Sequence, residues 1–281
     1  MPENSNCGSA STCSKESCEG CQSKKDGNSM REPINPMSSV KKVIGVVSGK
    51  GGVGKSFVTA SLASAMKKAG YEVGIMDADI TGPSIPMMFG VHGPAYGTDD
   101  GMFAMESEHG IKMMSINLLM DDEEAPVIWR GPVIGGAVKQ FWTDVIWGDL
   151  DYLFVDMPPG TGDVPLTVFQ TISVDGIIVV TSPQELVQMI VKKAYNMAKM
   201  MDVPVLGIVE NFSYLKCPDC GKEISVFGES HVDEAAAELS LPVFGKIPID
   251  PAYAKAADDG AFYEVENPYL SAAVESLKVV K

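Results

Sequence analysis

From residue 40 onward the chain alternates short aliphatic runs with longer segments whose apolar positions recur every three or four residues. The runs at 42–48, 72–77, 111–116, 152–156, 176–181, 205–210 and 243–247 predict strands. Most are continuously apolar rather than alternating, the pattern of parallel strands buried on both faces. Helical periodicity is clearest at 55–69, 131–147, 163–171, 184–201, 231–239 and 268–279. This alternation predicts an α/β fold, a doubly wound, mainly parallel sheet with right-handed crossovers. In such a sheet ligands bind at the carboxyl ends of the strands. The segment 82–109, rich in Gly, Pro and Met, has no clear period and is expected to be loop or subunit-contact surface.

Residues 1–37 break the pattern. They are rich in Ser, Asn, Lys, Glu and Gly and almost free of aliphatic residues. Such a segment buries too little apolar surface to offset the entropy of ordering. The expected organisation is a flexible arm, 1–37, followed by one globular domain, 38–281.

The octet G-K-G-G-V-G-K-S at 49–56 follows the first predicted strand and opens the first predicted helix. It satisfies the phosphate-loop pattern in its required strand–loop–helix context. Gly49, Gly51, Gly52, Val53 and Gly54 let backbone N–H groups turn toward phosphate oxygens at a helix N-terminus. Lys55 is placed to reach the β- and γ-phosphates of ATP, and Ser56 to ligate Mg²⁺. Two further apolar strands end in Asp: the second at Asp77, with Asp79 just beyond, and the fourth at Asp156. A strand-end Asp beside a phosphate loop holds Mg²⁺ through its water shell, the role expected of Asp156.

Lys50, inside the loop, is distinctive. G-K-G-G-V-G-K-S resembles the deviant Walker A motif of the SIMIBI ATPases, which include MinD, ParA, the nitrogenase iron protein and the Mrp/ApbC carriers. The strings D-A-D-I-T-G-P-S at 77–84 and D-M-P-P-G-T-G-D at 156–163 resemble the switch motifs of Mrp/ApbC/Nbp-type iron–sulfur carrier ATPases. The resemblance covers residues 42 to about 250. It implies that Lys50 reaches the nucleotide of a second subunit, that Asp79 orients the attacking water, and that Asp77 supports Mg²⁺ from further out. It also implies that the amide of Asn211 reads adenine, with residues 248–250 packing on the base.

All six cysteines fall in two clusters. Cys217 and Cys220 form a C-x-x-C knuckle, half of the four-ligand shell that tetrahedral zinc or a [4Fe–4S] cluster takes. Two copies of the chain would complete one centre on a two-fold axis. From the residues alone, a labile cluster, structural zinc and a redox dithiol all remain open. The resemblance implies a bridging [4Fe–4S] cluster. Cys7, Cys13, Cys18 and Cys21, spaced C-x5-C-x4-C-x2-C, suffice for a second centre within one chain. Nbp-type carriers have an N-terminal four-cysteine site, usually with a longer first gap, and zinc is the other candidate here.

The net charge of −15 argues against a nucleic-acid partner. No apolar run approaches the ~18 residues of a membrane span, and no leader pattern opens the chain. A cytoplasmic location is expected, where thiols stay reduced and clustered cysteines read as metal ligands. With the motifs, the resemblance implies a homodimeric, slow, switch-like ATP hydrolase that carries a [4Fe–4S] cluster to apo iron–sulfur proteins. A heterodimer with a related chain follows the same logic. The competing readings are an electron donor like the nitrogenase iron protein and a MinD- or ParA-like positioning ATPase with structural zinc.

Overall fold

The computed structural model describes residues 31–80, 82, 84–120, 131–183 and 187–279. The four N-terminal cysteines lie outside the described residues, as do Thr81 and Pro83 of the first switch string.

In chain order the first elements are β1 (Ser39–Ser48), α1 (Lys55–Lys68), β2 (Val73–Asp77), α2 (Ile85–Met88), β3 (Gly97–Thr98), β4 (Gly101–Phe103), β5 (Met105–Glu106) and β6 (Lys112–Met114). Then come α3 (Gly131–Thr143), β7 (Val145–Ile146), β8 (Asp149–Asp156), α4 (Asp163–Thr171), β9 (Gly176–Thr181), α5 (Val187–Met200) and β10 (Val205–Glu210). The chain closes with β11 (Leu215–Lys216), β12 (Glu223–Ile224), α6 (Val232–Leu239), β13 (Val243–Lys246), α7 (Pro251–Asp258) and α8 (Ser271–Lys278).

The central sheet has the order β13-β10-β9-β1-β8-β2-β6-β5. Every neighbouring pair is parallel except β5 with β6 at the edge. All its strands but β5 overlap the expected runs, and the central ones are buried on both faces. Val43, Val47, Leu153, Val155, Ile177 and Val179 pack on one side, with residues of α3, α4, α5 and α6. Ile44, Val46, Phe154, Ile178 and Val180 pack on the other, with α1, α2 and α8. The period of two thus appears as two separate cores within one three-layer sandwich.

Register decides what meets at the carboxyl edge. Val46 of β1 lies opposite Asp156 of β8, and Asp156 lies opposite Asp77 of β2. Three parallel strand ends therefore bring the phosphate loop and both strand-end carboxylates together.

Several expectations are corrected. The helix expected over 131–147 stops at Thr143, and Val145–Ile146 forms a strand paired in parallel with β4. The buried run through Trp147 fits strand and helix burial equally well, and nonlocal pairing decides it. The segment 82–109 is not all loop: α2, β3, β4 and β5 lie within it, each too short to show a period. Helix α7 also went unpredicted. Its signal was local: Asp250 Oδ1 accepts from Ala252 N at 2.9 Å, with proline at the first helical position.

Residues 31–37, assigned to the arm by composition, are tied to the body. Glu32 N donates to Thr171 O at 2.9 Å, Trp142 Nε1 donates to Glu32 O at 2.9 Å, and Asn35 is buried.

Candidate functional site

The phosphate loop leaves β1 and enters α1 through glycines at positive φ. Gly52 has φ 78° and Gly54 has φ 77°. At Gly54 there is a second constraint: a Cβ would stand 2.1 Å from Asn211 Nδ2. Only glycine satisfies both.

Lys55 is almost wholly buried, and its Nζ lies 2.7 Å from Asp156 Oδ2 and 3.7 Å from Asp79 Oδ2. Asp156 is completely buried. It accepts from Ser56 Oγ at 2.6 Å and from Thr59 Oγ1 at 2.7 Å. Uncompensated, a carboxylate so placed would be strongly disfavoured; here one cation and two hydroxyls satisfy it. Thr59 escaped the sequence reading. It stands one helical turn beyond Lys55, whose carbonyl it also contacts, so the i, i+4 spacing was the available signal.

Asp77 is the second buried carboxylate. It accepts from Ser84 N, Ile85 N, Asp79 N and Ser115 Oγ at 3.2–3.4 Å, pinning the turn that carries Asp79. Burial first, and then the charge of Asp156, push its carboxyl up to about 8. A neutral acid beside an ionised one is the arrangement two neighbouring carboxylates adopt in low dielectric.

The second switch string closes over the loop from the other side. Gly160 N donates to Ser48 O at 2.7 Å and Met157 N to Val46 O at 3.1 Å. A cavity of about 190 Å³ results, lined by Ser48, the loop from Gly51 to Ser56, Asp79 and Pro159. Gly49 lies at the mouth of the loop, and Lys50 is exposed beyond it.

Beside this polar cavity is an apolar one of about 320 Å³, with Phe57, Asn211, Phe212, Pro248, Ile249 and Tyr253 in its walls. The Asn211 amide and residues 248–250, both assigned from resemblance to the base, line this second cavity. Asn211 Nδ2 donates to Val53 O at 3.0 Å, so the amide also braces the phosphate loop. Phe212, next in sequence, has φ 56°, a left-handed conformation that costs a non-glycine residue about 1–2 kcal/mol.

The cysteine knuckle is built differently. β11 and β12 form a two-residue antiparallel pair, Leu215 opposite Ile224 and Lys216 opposite Glu223. Between them Cys217 N donates to Lys222 O and Gly221 N to Cys217 O, each at 2.9 Å, with Gly221 at φ 72°. Cys217 is half-buried and Cys220 exposed, and both are free thiols. The N–H groups of Cys220 and Asp219, and then the Cys220 thiol, hold the Cys217 thiol below its ordinary value. Metal-binding thiols need that bias toward thiolate. Among the described residues no group of three or more His, Cys, Asp or Glu stands ready to hold a metal ion. Every residue at 218–229 is exposed, including the apolar Ile224, Val226 and Phe227.

The knuckle is joined to the apolar cavity through the main chain. Leu215 bridges to Ile249, and Ile249 N donates to Tyr214 O at 2.7 Å. One short segment therefore runs from the phosphate loop at Asn211, past the apolar cavity, to Cys217.

The chain is similar to several known proteins. An iron–sulfur cluster carrier protein of Methanocaldococcus jannaschii is 48% identical, over 80% of this chain and 78% of its own. One of Clostridium perfringens is 44% identical over 96% of this chain and 99% of its own. Among solved structures, a nucleotide-binding protein from Archaeoglobus fulgidus in complex with ADP superposes with a TM-score of 0.74 at 43% identity. It covers 83% of this chain, which covers 91% of it. A chain of the MinC:MinD cell division protein complex of Aquifex aeolicus matches over 84% of this chain and 94% of its own, at a TM-score of 0.60 and 20% identity, a likeness of fold alone. The sequence profile of the NUBPL iron-transfer P-loop NTPases matches residues 39–281, and the chain belongs to that family.

Proposed function

We propose that the chain is an ATP-dependent carrier of a [4Fe–4S] cluster, delivering it as cargo to apo iron–sulfur proteins. The observation that carries this reading is the single segment that braces the phosphate loop at Asn211 and ends in the C-x-x-C pair, with the half-buried Cys217 thiol biased toward thiolate and Cys220 exposed. The names of the relatives support it.

In this reading the phosphates of ATP occupy the cavity lined by the loop, and its amides and Lys55 bind their oxygens. Lys55 then exchanges carboxylate partners for phosphate. Ser56 ligates Mg²⁺, with Asp156 behind it in the water shell. Asp79 lies at the rim of the same cavity and orients the attacking water. The base lies against Phe57, Tyr253 and residues 248–250. Asn211 faces it while holding Val53. Hydrolysis is slow and serves as a switch.

The chain acts as a dimer. Lys50, exposed at the loop, reaches the nucleotide of a second copy, and Cys217 and Cys220 of two copies complete one four-thiolate shell. A related chain that offers the same surface would serve equally. Exposure of the knuckle suits handover, since a buried cluster has no route to an acceptor. The N-terminal region with Cys7, Cys13, Cys18 and Cys21 forms a separate unit holding a second cluster or zinc. The protein works in the cytoplasm.

The test is transfer. Loaded anaerobically and mixed with an apo-[4Fe–4S] enzyme, the chain should restore that enzyme's activity even with a chelator of free iron present. Activation that vanishes with the chelator, or a reversible redox cycle without iron loss, contradicts the carrier reading.

A further inference from the structure

One buried carboxylate has no part in the chemistry above. Glu210, the last residue of β10, is fully buried. Its Oε2 accepts from Ser213 Oγ at 2.5 Å and its Oε1 accepts from Ser230 Oγ at 2.9 Å. Those serines stand at the two ends of the cysteine loop: Ser213 precedes it and Ser230 follows it. Between them every residue at 218–229 is exposed. A single buried carboxyl group therefore gathers both ends of an otherwise exposed loop through two side-chain hydrogen bonds.

The neighbour of Glu210 is Asn211, which donates to Val53 O in the phosphate loop and whose own N–H donates to Thr181 O at 2.8 Å. Consecutive residues at one strand end thus hold the two sites, one each. The main chain around them has little slack. Glu210 O accepts from Ile247 N, and Ser213 N donates to Ile247 O, both at 2.8 Å. Phe212 between them is held at a positive φ. A shift of Val53 on phosphate binding would be felt by Asn211, and through its neighbour Glu210 by the cysteine loop.

We propose that Glu210 is the positioning residue that couples nucleotide occupancy of the phosphate loop to the conformation of the cysteine loop. This rests on the reading of residues 49–56 as a nucleotide site, but it does not require that iron bind at Cys217 and Cys220. A coupling of this kind is a ratio between two states, and alleviating one bond without altering either ligand site changes that ratio.

The experiment measures alkylation of Cys217 and Cys220 by iodoacetamide in the full-length chain carrying Cys7→Ser, Cys13→Ser, Cys18→Ser and Cys21→Ser. Rates are taken without nucleotide, with MgADP and with MgATP, alongside nucleotide affinity and anaerobic iron uptake. In the parent chain nucleotide should change the rate by about five-fold or more. Glu210→Ala should bind nucleotide within about three-fold of the parent, while the nucleotide effect on alkylation falls to none. Glu210→Gln keeps one acceptor oxygen and should retain part of the effect. Ser213→Ala with Ser230→Ala, which leaves the carboxylate in place, should lose it as Glu210→Ala does. An effect that survives in Glu210→Ala and in the double serine variant overturns the proposal, as does a parent whose thiols ignore nucleotide. A parent that shows the alkylation effect but takes up no iron contradicts the carrier reading and leaves the coupling standing.

Discussion

The phosphate loop and the cysteine loop are linked by one short segment, from Asn211, which braces the first, to Cys217 in the second, yet they are opposite kinds of structure. At the first, the charged side chains behind the loop are buried and cross-braced. Lys55 and Asp156 are almost or wholly hidden, and Asp156 is bound by a cation and two hydroxyls. The second is a two-residue strand pair carrying a run of exposed residues, with one thiol half-buried and the other open. Nucleotide chemistry gains from fixed donors in low dielectric, because their reorganisation is complete before the reaction begins. Cargo handover needs the reverse, ligands that a second copy and then an acceptor can reach. The chain separates these demands by depth in the fold.

The sharpest way to break this contrast is at the buried end. Lys55→Ala should cut ATP turnover on the order of 10²–10³-fold, and leaving Asp156 without its cation should cost about 3–5 kcal/mol of stability. Turnover per folded chain, with thermal unfolding beside it, checks both; normal turnover removes the phosphate-loop assignment. At the exposed end, Cys217→Ala should abolish iron uptake at the knuckle while ATP affinity and melting temperature stay near those of the parent. A large fall in melting temperature would place the knuckle in the core of the fold instead.

Gly54→Ala probes the junction. The residue sits at φ 77° with Asn211 Nδ2 where a Cβ would go, so the substitution should destabilise by about 1–2 kcal/mol. Nucleotide affinity, measured by titration, should weaken about tenfold. A further test is a slope with pH. Folded Asp77 keeps its proton up to about pH 8, whereas an unfolded Asp releases it near 3.8. The folded chain then binds more protons across that window, so its stability falls as pH rises through it. The melting temperature of the nucleotide-free chain should decline from pH 5 to 8, and Asp77→Asn should flatten that decline.

Much of the fold was legible because the signals were local and repeated. The aliphatic runs at 42–48 and 176–181, the octet at 49–56 and the strand-end Asp residues each announce themselves without tertiary help. What escaped depends on pairing across the chain. Val145 and Ile146 become strand only because Met102 and Phe103 lie beside them. Residues 31–37 look like linker by composition, yet Trp142 and Thr171 supply partners that composition cannot reveal. At the site, the phosphate-loop residues were readable from spacing, whereas Thr59, Phe57 and Tyr253 gain meaning only from what the fold sets beside them. The left-handed Phe212 carried no sequence signal at all, since the residue types that favour that conformation are absent there.

The central claim is that the exposed knuckle holds half a cluster per chain. The direct measurement is iron and sulfide counted per two chains after anaerobic reconstitution, in the full-length chain with Cys7, Cys13, Cys18 and Cys21 each replaced by Ser. The account predicts about four irons per two chains with the spectrum of a [4Fe–4S] centre, and none when Cys217→Ala is added. Zinc without iron uptake, or a complete cluster on a chain that remains monomeric, would contradict it.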